Sequence, residues 1–164
     1  MEAGTAFYVK QGNTYLIKLV GDIRYTMGCA LGDFLNDLFA RADFDDIVVD
    51  LSETHSIDST SLGLLARIAN FSREHFDHKT TLLSTNPDVN QVLDTMGFYE
   101  IFDIRDTGEP LSATLQELTH QVPCKEDLTR VVYEAHRTLS EINPQNRQAF
   151  QSVLNSIKPK LDPS

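Results

Sequence analysis

Residues 46–68 read DIVVDLSETHSIDSTSLGLLARI. An apolar run gives way to four small polar residues, Asp58, Ser59, Thr60 and Ser61, which lead straight into an apolar helical pattern. The run DIVVDLS is short and rich in Val and Ile, as expected of a strand buried on both faces. Downstream, Leu62, Leu65, Ile68, Ala69, Ser72 and Phe76 recur at helical spacing and predict one inward stripe.

The alternation continues on either side. Residues 5–22 read as a hairpin, with Phe7 and Val9 alternating, then Tyr15, Ile17 and Leu19, around the turn residues Gln11, Gly12 and Asn13. Leu31, Phe34, Leu35, Leu38 and Phe39 predict a helix between Met27 and Ala42. KTTLLS reads as a strand. Pro87 opens a helix that buries Val89, Val92, Leu93 and Met96 and stops at Gly97. YEIFDI is expected to be a last short strand, and EPLSATLQEL a helix with Leu111, Leu115 and Leu118 inward. Strand and helix alternate from about Ile47 to Ile104, so each crossover helix should set the next strand parallel to the last. The fold class is therefore α/β: a small mixed β-sheet, opened by a hairpin, with packed helices and a C-terminal two-helix extension.

The chain has 164 residues and a formal net charge of -10, with the acidic excess confined to the part before residue 122. A surface without a basic face argues against direct nucleic-acid binding and against an anionic membrane. No apolar run approaches a membrane span, so no membrane insertion is expected. The first ten residues lack a basic segment and an apolar core, so no secretory signal is expected there. Cys29 and Cys124 are far apart and without metal or redox spacing, which predicts free thiols in a cytoplasmic protein. The shift in charge, with Pro123, divides the chain into residues 1–121 and a helical extension, 122–164. In that extension Leu128, Val131, Val132, Ala135, Leu139 and Ile142 form one stripe. Phe150, Val153, Leu154 and Ile157 form another, and Asn143-Pro144 joins them. Helices this short are not stable alone and must pack on this chain or on a partner, with packing in cis expected.

Three chemistries suit the polar cluster. Asp58 is a good N-cap, accepting an orphan N–H of the first turn, but a cap does not demand three hydroxyls after it. A nucleophilic serine would need a base held by a third group; G-x-S-x-G is missing and His55 is only a near neighbour in sequence. A phosphorylated hydroxyl fits a helix N-terminus at the C-terminal edge of a sheet, where free N–H groups and the dipole tolerate an anion. A partner packed over the same spot would not tolerate it.

The residues VVDLSETHSIDSTSLGLL resemble the signature of STAS domains of the anti-sigma factor antagonist (anti-anti-sigma factor) family. That signature is a strand ending Asp-Leu-Ser, then Asp-Ser-Ser/Thr-Gly and an apolar helix. LVGDIRYT and LLSTNPDVNQVLDTMGFYEIFDI resemble further parts of that domain, over roughly residues 5–121. The resemblance implies Ser59 as the phosphorylation site, with Thr60 and Ser61 as secondary candidates. It implies a partner face of Asp22, Arg24, Ser56, Asp58, Ser59, Thr60, Ser61 and Leu62. Ser61 stands where the family often has Gly, which changes the fit of a partner or adds a hydroxyl.

The resemblance further implies a phosphoprotein that binds and does not catalyse, with no cofactor of its own. Unphosphorylated, it would capture an anti-sigma factor that is a serine kinase of the histidine-kinase-type ATPase family, freeing a sigma factor and so regulating transcription. Phosphorylation would break the capture and a PP2C-type phosphatase would restore it. Two alternatives stay open: a STAS subunit of a membrane lipid transporter docking on its ATPase, and an enzyme using Ser59 as nucleophile. His75 and His78, at metal-compatible spacing, read as a solvated helix end. Asp43, Asp45 and Asp46 read as a soluble loop.

Overall fold

Gly12, at φ 64°, lets the chain reverse in two residues. It joins β1 (Thr5–Gln11) to β2 (Thr14–Ile23), paired antiparallel from Thr5↔Val20 to Gln11↔Thr14. The computed structural model describes residues 4–107, 114–118 and 128–161. After a single turn of 3-10 helix at Tyr25–Met27 come α1 (Gly28–Arg41), β3 (Asp46–Ile57), α2 (Ser59–His75) and β4 (Thr81–Leu83). Then follow α3 (Pro87–Thr95), α4 (Phe98–Ile101), β5 (Asp103–Arg105) and β6 (Gln116–Glu117). The six strands lie in the order β5-β4-β3-β2-β1-β6. β2 to β5 are parallel to one another, β3 to β5 as the alternation predicts, and β1 is antiparallel to both its neighbours, β2 and β6.

From β2 to β5 each strand is laid beside its predecessor in one direction. Right-handed crossovers of that kind put their helices on one face of the sheet. Burial follows: Ile17, Leu19, Ile47, Val49 and Leu51 are fully buried, while their alternates Leu16, Lys18 and Val48 are half-buried. The expectation that DIVVDLS is buried on both faces is thereby corrected to one. Asp50 sits on the other face, nearly buried, and accepts the Ser52 N–H at 2.8 Å. The hairpin is corrected in phase. Ala6 and Tyr8 face the core, since they pair with Leu19 and Ile17, and Phe7 and Val9 point the other way. Tyr8 meets Phe34 of α1 with ring centroids 4.7 Å apart.

Two further expectations change. YEIFDI is not one strand: Gly97, at φ 79°, ends α3 and its carbonyl accepts the Glu100 N–H, which starts the turn α4. One helical turn brings Phe98 and Phe102 to the same side, both buried. Of EPLSATLQEL, Leu111 lies outside the described residues, and Gln116–Glu117 is strand, not helix. The outer edge of β1 offers unpaired backbone groups there, and the Leu118 N–H donates to the Ala6 carbonyl at 2.8 Å. The expectation of free thiols is corrected at Cys29, which is disulfide-bonded; Cys124 lies outside the described residues.

The β2–β3 ladder slips between Lys18 and Val20 and again between Gly21 and Asp22. Buried Thr54 holds this irregular stretch: its hydroxyl donates to the Leu19 carbonyl at 2.7 Å. Thr54→Val keeps the shape and removes the donor, leaving a buried carbonyl short of one partner. A loss of about 1–2 kcal/mol is expected from urea unfolding, and an unchanged midpoint would show that the bulge holds itself.

α5 (Leu128–Ser140) and α6 (Pro144–Leu161) pack on the rest of the chain, α5 lying along α2 and beside α1. Val131, Ala135 and Leu139 are buried as the stripe predicts. Asn143 accepts the Asn146 N–H at 2.8 Å and so caps α6 ahead of its first turn. Asn146, nearly buried, donates from Nδ2 to the carbonyls of Leu139 and Met96 at 3.0 and 2.9 Å, tying the helical hairpin to the end of α3. The second stripe is corrected beyond Phe150: Val153 is 38% exposed, and Leu154 and Ile157 are half-buried. α6 runs on past the surface that could cover them.

Candidate functional site

The cluster at residues 58–61 lies where β3 ends and α2 begins, at the C-terminal edge of the parallel strands. Asp58 is extended, as an N-cap must be, and its backbone N–H donates to the Ile23 carbonyl at 3.1 Å. Its carboxylate does two jobs. Oδ1 accepts the Ser61 N–H at 2.9 Å and caps the helix, while Oδ2 accepts the Tyr25 N–H at 2.6 Å and holds the turn after β2. The cap reading is therefore right for Asp58, and one residue fixes three segments.

The hydroxyls beside it are not equivalent. Thr60 and Ser61 are 4% and 1% exposed, and Leu62 is likewise buried. Ser59 is half-buried, the most accessible of the three hydroxyls. Ser61, in the place of the family's Gly, points inward. Asp22 and Ser56 meet across the end of the β2–β3 pair, where the Ser56 hydroxyl donates to Asp22 Oδ1 at 2.7 Å. Arg24 is exposed beside them. Asp22, Arg24, Ser56, Asp58 and Ser59 thus share one edge of the molecule, and Thr60, Ser61 and Leu62 lie beneath it.

His136 of α5 is the residue that sequence reasoning missed. Its Nε2 lies 2.8 Å from the Ser59 hydroxyl oxygen, and its Nδ1 lies 2.7 Å from the Val132 carbonyl. A carbonyl only accepts, so Nδ1 carries the proton and, in the neutral ring, Nε2 accepts from Ser59 O–H. His136 is 7% exposed, and the Phe150 ring lies 5.2 Å away. The one signal in the sequence is a histidine next to Ala135 within an apolar stripe; nothing local tells that its partner lies 77 residues earlier.

The other constellations separate. His75 lies 3.0 Å from the Phe71 carbonyl and stacks on the Phe71 ring. The two ring nitrogens of His78 face the carbonyls of Lys79 and Asp45. The Lys79 carbonyl, helped by Asp46 and Asp45 against partial desolvation, holds the His78 imidazole above its ordinary pKa. Asp43 pairs with Lys10 at 3.3 Å. Among the described residues no group of three or more His, Cys, Asp or Glu side chains is arranged to hold a metal. Among the same residues no helix is long and apolar enough to cross a membrane.

A family model described as the STAS domain matches residues 8–118. Among solved structures, an anti-sigma factor antagonist from Mycobacterium paratuberculosis superposes with a TM-score of 0.53 at 19% identity. That match covers 64% of this chain and 87% of that one. The anti-sigma factor antagonist SpoIIAA in its unphosphorylated form gives 0.53 at 15% identity, over 63% of this chain and 89% of its own. The Bacillus cell fate determinant SpoIIAA in its phosphorylated form gives 0.50 at 14%, over 62% and 90%. Among curated proteins, none matches the chain. The family model's match ends at Leu118, before α5 and α6.

Proposed function

The chain belongs to the STAS-domain family, and from that premise we propose that it is an anti-sigma factor antagonist switched by phosphorylation of Ser59. Unphosphorylated, the edge formed by Asp22, Arg24, Ser56, Asp58 and Ser59 captures an anti-sigma factor of the histidine-kinase-type ATPase class, and a sigma factor is freed. That partner, using its own ATP, phosphorylates Ser59 and ends the capture. A PP2C-type phosphatase resets the switch. The observation that carries this reading is the position of Ser59. It is the first residue of α2, at the C-terminal edge of the sheet and directly after a cap that Asp58 completes without using the Ser59 hydroxyl. Added charge there meets a helix N-terminus. That this fold matches SpoIIAA structures in both the unphosphorylated and the phosphorylated form supports a switch that works without unfolding.

Mapping phosphate on the protein recovered from its own cells tests the reading. Phosphate is expected at Ser59, with most of the signal lost in Ser59→Ala and only minor signal at buried Thr60 or Ser61. Phosphate confined to other residues would overturn it.

The contact between Ser59 and His136 favours a second reading, in which Ser59 is a nucleophile and His136 its base. Against it, the imidazole is oriented by a main-chain carbonyl of its own helix rather than by a carboxylate, and the Ser61 N–H, a candidate oxyanion donor, is taken by Asp58. A fluorophosphonate probe separates the two: stable labelling at Ser59 would mark a nucleophile, and none is expected. Docking on the ATPase of a lipid transporter has no observation of this kind behind it.

A further inference from the structure

We infer that α5 is a built-in occupant of the Ser59 face, so that a kinase or partner reaches Ser59 only when the α5–α6 hairpin lifts away. This deepens the reading of Ser59 as the switch residue and rests on it. The contact is closest at its middle. A Cβ on Gly63, one turn after Ser59, would lie 2.3 Å from the Ala135 carbonyl oxygen and 2.6 Å from its Cα. The two helix backbones therefore touch at Gly63, with no room for an intervening side chain. Ala135 is fully buried there. One turn towards the start of α2, Ser59 is engaged by His136. Nearer α1, a Cβ on Gly28 would come to 3.3 Å from Val131 Cγ1. Arg67, one turn beyond Gly63, lines a cavity of about 210 Å³ shared with Val131, Glu134, Arg137 and Thr138. The face that starts at Ser59 and runs along α2 is thus covered by a segment of the same chain.

Val131, Leu139 and Phe150 join the main core, and outside α5 the attachments lie at the α5–α6 turn and the first half of α6. Asn146 ties the hairpin to Met96, and Phe150 backs His136, but the rest of α6 is largely exposed. The inference requires that this hairpin open as a unit at less than the cost of global unfolding. A protein that needs the Ser59 face and the docked hairpin compete for one surface. By linkage, whatever weakens docking strengthens capture by the same factor.

Access is measured on the full chain. In a Ser59→Cys background the new thiol reports on access through its iodoacetamide reaction rate, followed by peptide mass at that position, with amide exchange recorded in parallel. With α5 docked, the thiol should react at least about 100-fold slower than in the urea-unfolded chain, as a site shielded by a local closure does. Gly63→Ala drives a methyl into the α5 backbone while favouring α2 itself. Ala135→Glu places an unpaired charge at the same crossing without touching α2. Each should speed exchange across 131–150, leave β3 amides protected, and raise the labelling rate at least about tenfold.

Labelling in the parent as fast as in urea would overturn the inference, and that measurement stands even if both variants unfold. So would unchanged labelling in a variant whose α5 amides have become fast. Phosphate incorporation at residue 59 of the Ser59 chain in an ATP-supplemented extract of native cells should rise with Gly63→Ala. Slow labelling with phosphate absent from Ser59 would remove the switch reading and leave the cover. Phosphate at Ser59 at equal rates in both chains would remove the cover's role and leave the switch.

Discussion

Phe98→Ala should lower the stability of the chain by about 3–5 kcal/mol, the range for removing a buried phenyl ring from a packed site. Phe98 is fully buried, with its ring centroid 5.3 Å from that of buried Phe102. Its loss would not be repaired locally. α4 is a single turn begun by Gly97 in a left-handed conformation, and its position depends on that ring. Against a total of roughly 5–15 kcal/mol for an ordinary domain, such a loss removes about a fifth or more of what holds the chain folded. At roughly 2–4 °C per kcal/mol the melting temperature should fall by about 6–20 °C. Calorimetry or thermal circular dichroism reads this directly. A fall of only a degree or two would mean that α4 and β5 melt independently of the sheet.

Phe98 also shows where sequence reading stopped. YEIFDI has the apolar content of a strand, and the β5 part of it is one. What places Phe98 and Phe102 together is a helical turn four residues long, too short to leave a periodic signal. Ala6 and Tyr8 make a related point. Alternation along the hairpin was legible, but its phase depends on which residues of β2 they face, and that is a matter of register. By contrast α1, α2 and α3 were readable to within a residue or two, because each carries several turns of pattern, whereas DIVVDLS marked only the first seven residues of β3. At the site, Asp58 was legible as a cap from local chemistry, whereas Ser59 was singled out among the hydroxyls only by the family resemblance. His136 was not legible, since its meaning arises only when α5 is laid along α2. The backbone contact between Gly63 and Ala135 that permits this is written in two small residues, either of which reads alone as unremarkable.

Asp58→Ala should cost about 1.5–3 kcal/mol, more than an ordinary helix cap, because the side chain serves two segments. The cap to the Ser61 N–H alone is worth about 1 kcal/mol. The bond from the Tyr25 N–H is short and goes to a charged acceptor, a class worth about 1.5–3 kcal/mol when desolvated. Tyr25 is 50% exposed, so water can take over part of that bond and the sum stays below the simple total. Asp58→Asn separates the two roles. Its carbonyl oxygen can still accept from Ser61, but its amide would then point a donor at the Tyr25 N–H. It should recover only the cap, roughly 1 kcal/mol of the loss.

The consequence for the site differs from the consequence for the fold. With the Tyr25 tether gone, the turn carrying Arg24 loses its fixed place beside Ser59, while Asp22 and Ser56 keep their own bond. Amide exchange should therefore quicken at Tyr25 and in the first turn of α2 in Asp58→Ala, and at Tyr25 alone in Asp58→Asn. If both substitutions left Tyr25 as protected as before, the turn would be held by the 3-10 bond from the Met27 N–H to the Arg24 carbonyl. Asp58 would then be a helix cap and nothing more. If Tyr25 quickens in both, Asp58 is the residue that makes Arg24 and Ser59 parts of one rigid edge, and capture of a partner should weaken in Asp58→Asn even though the helix remains capped.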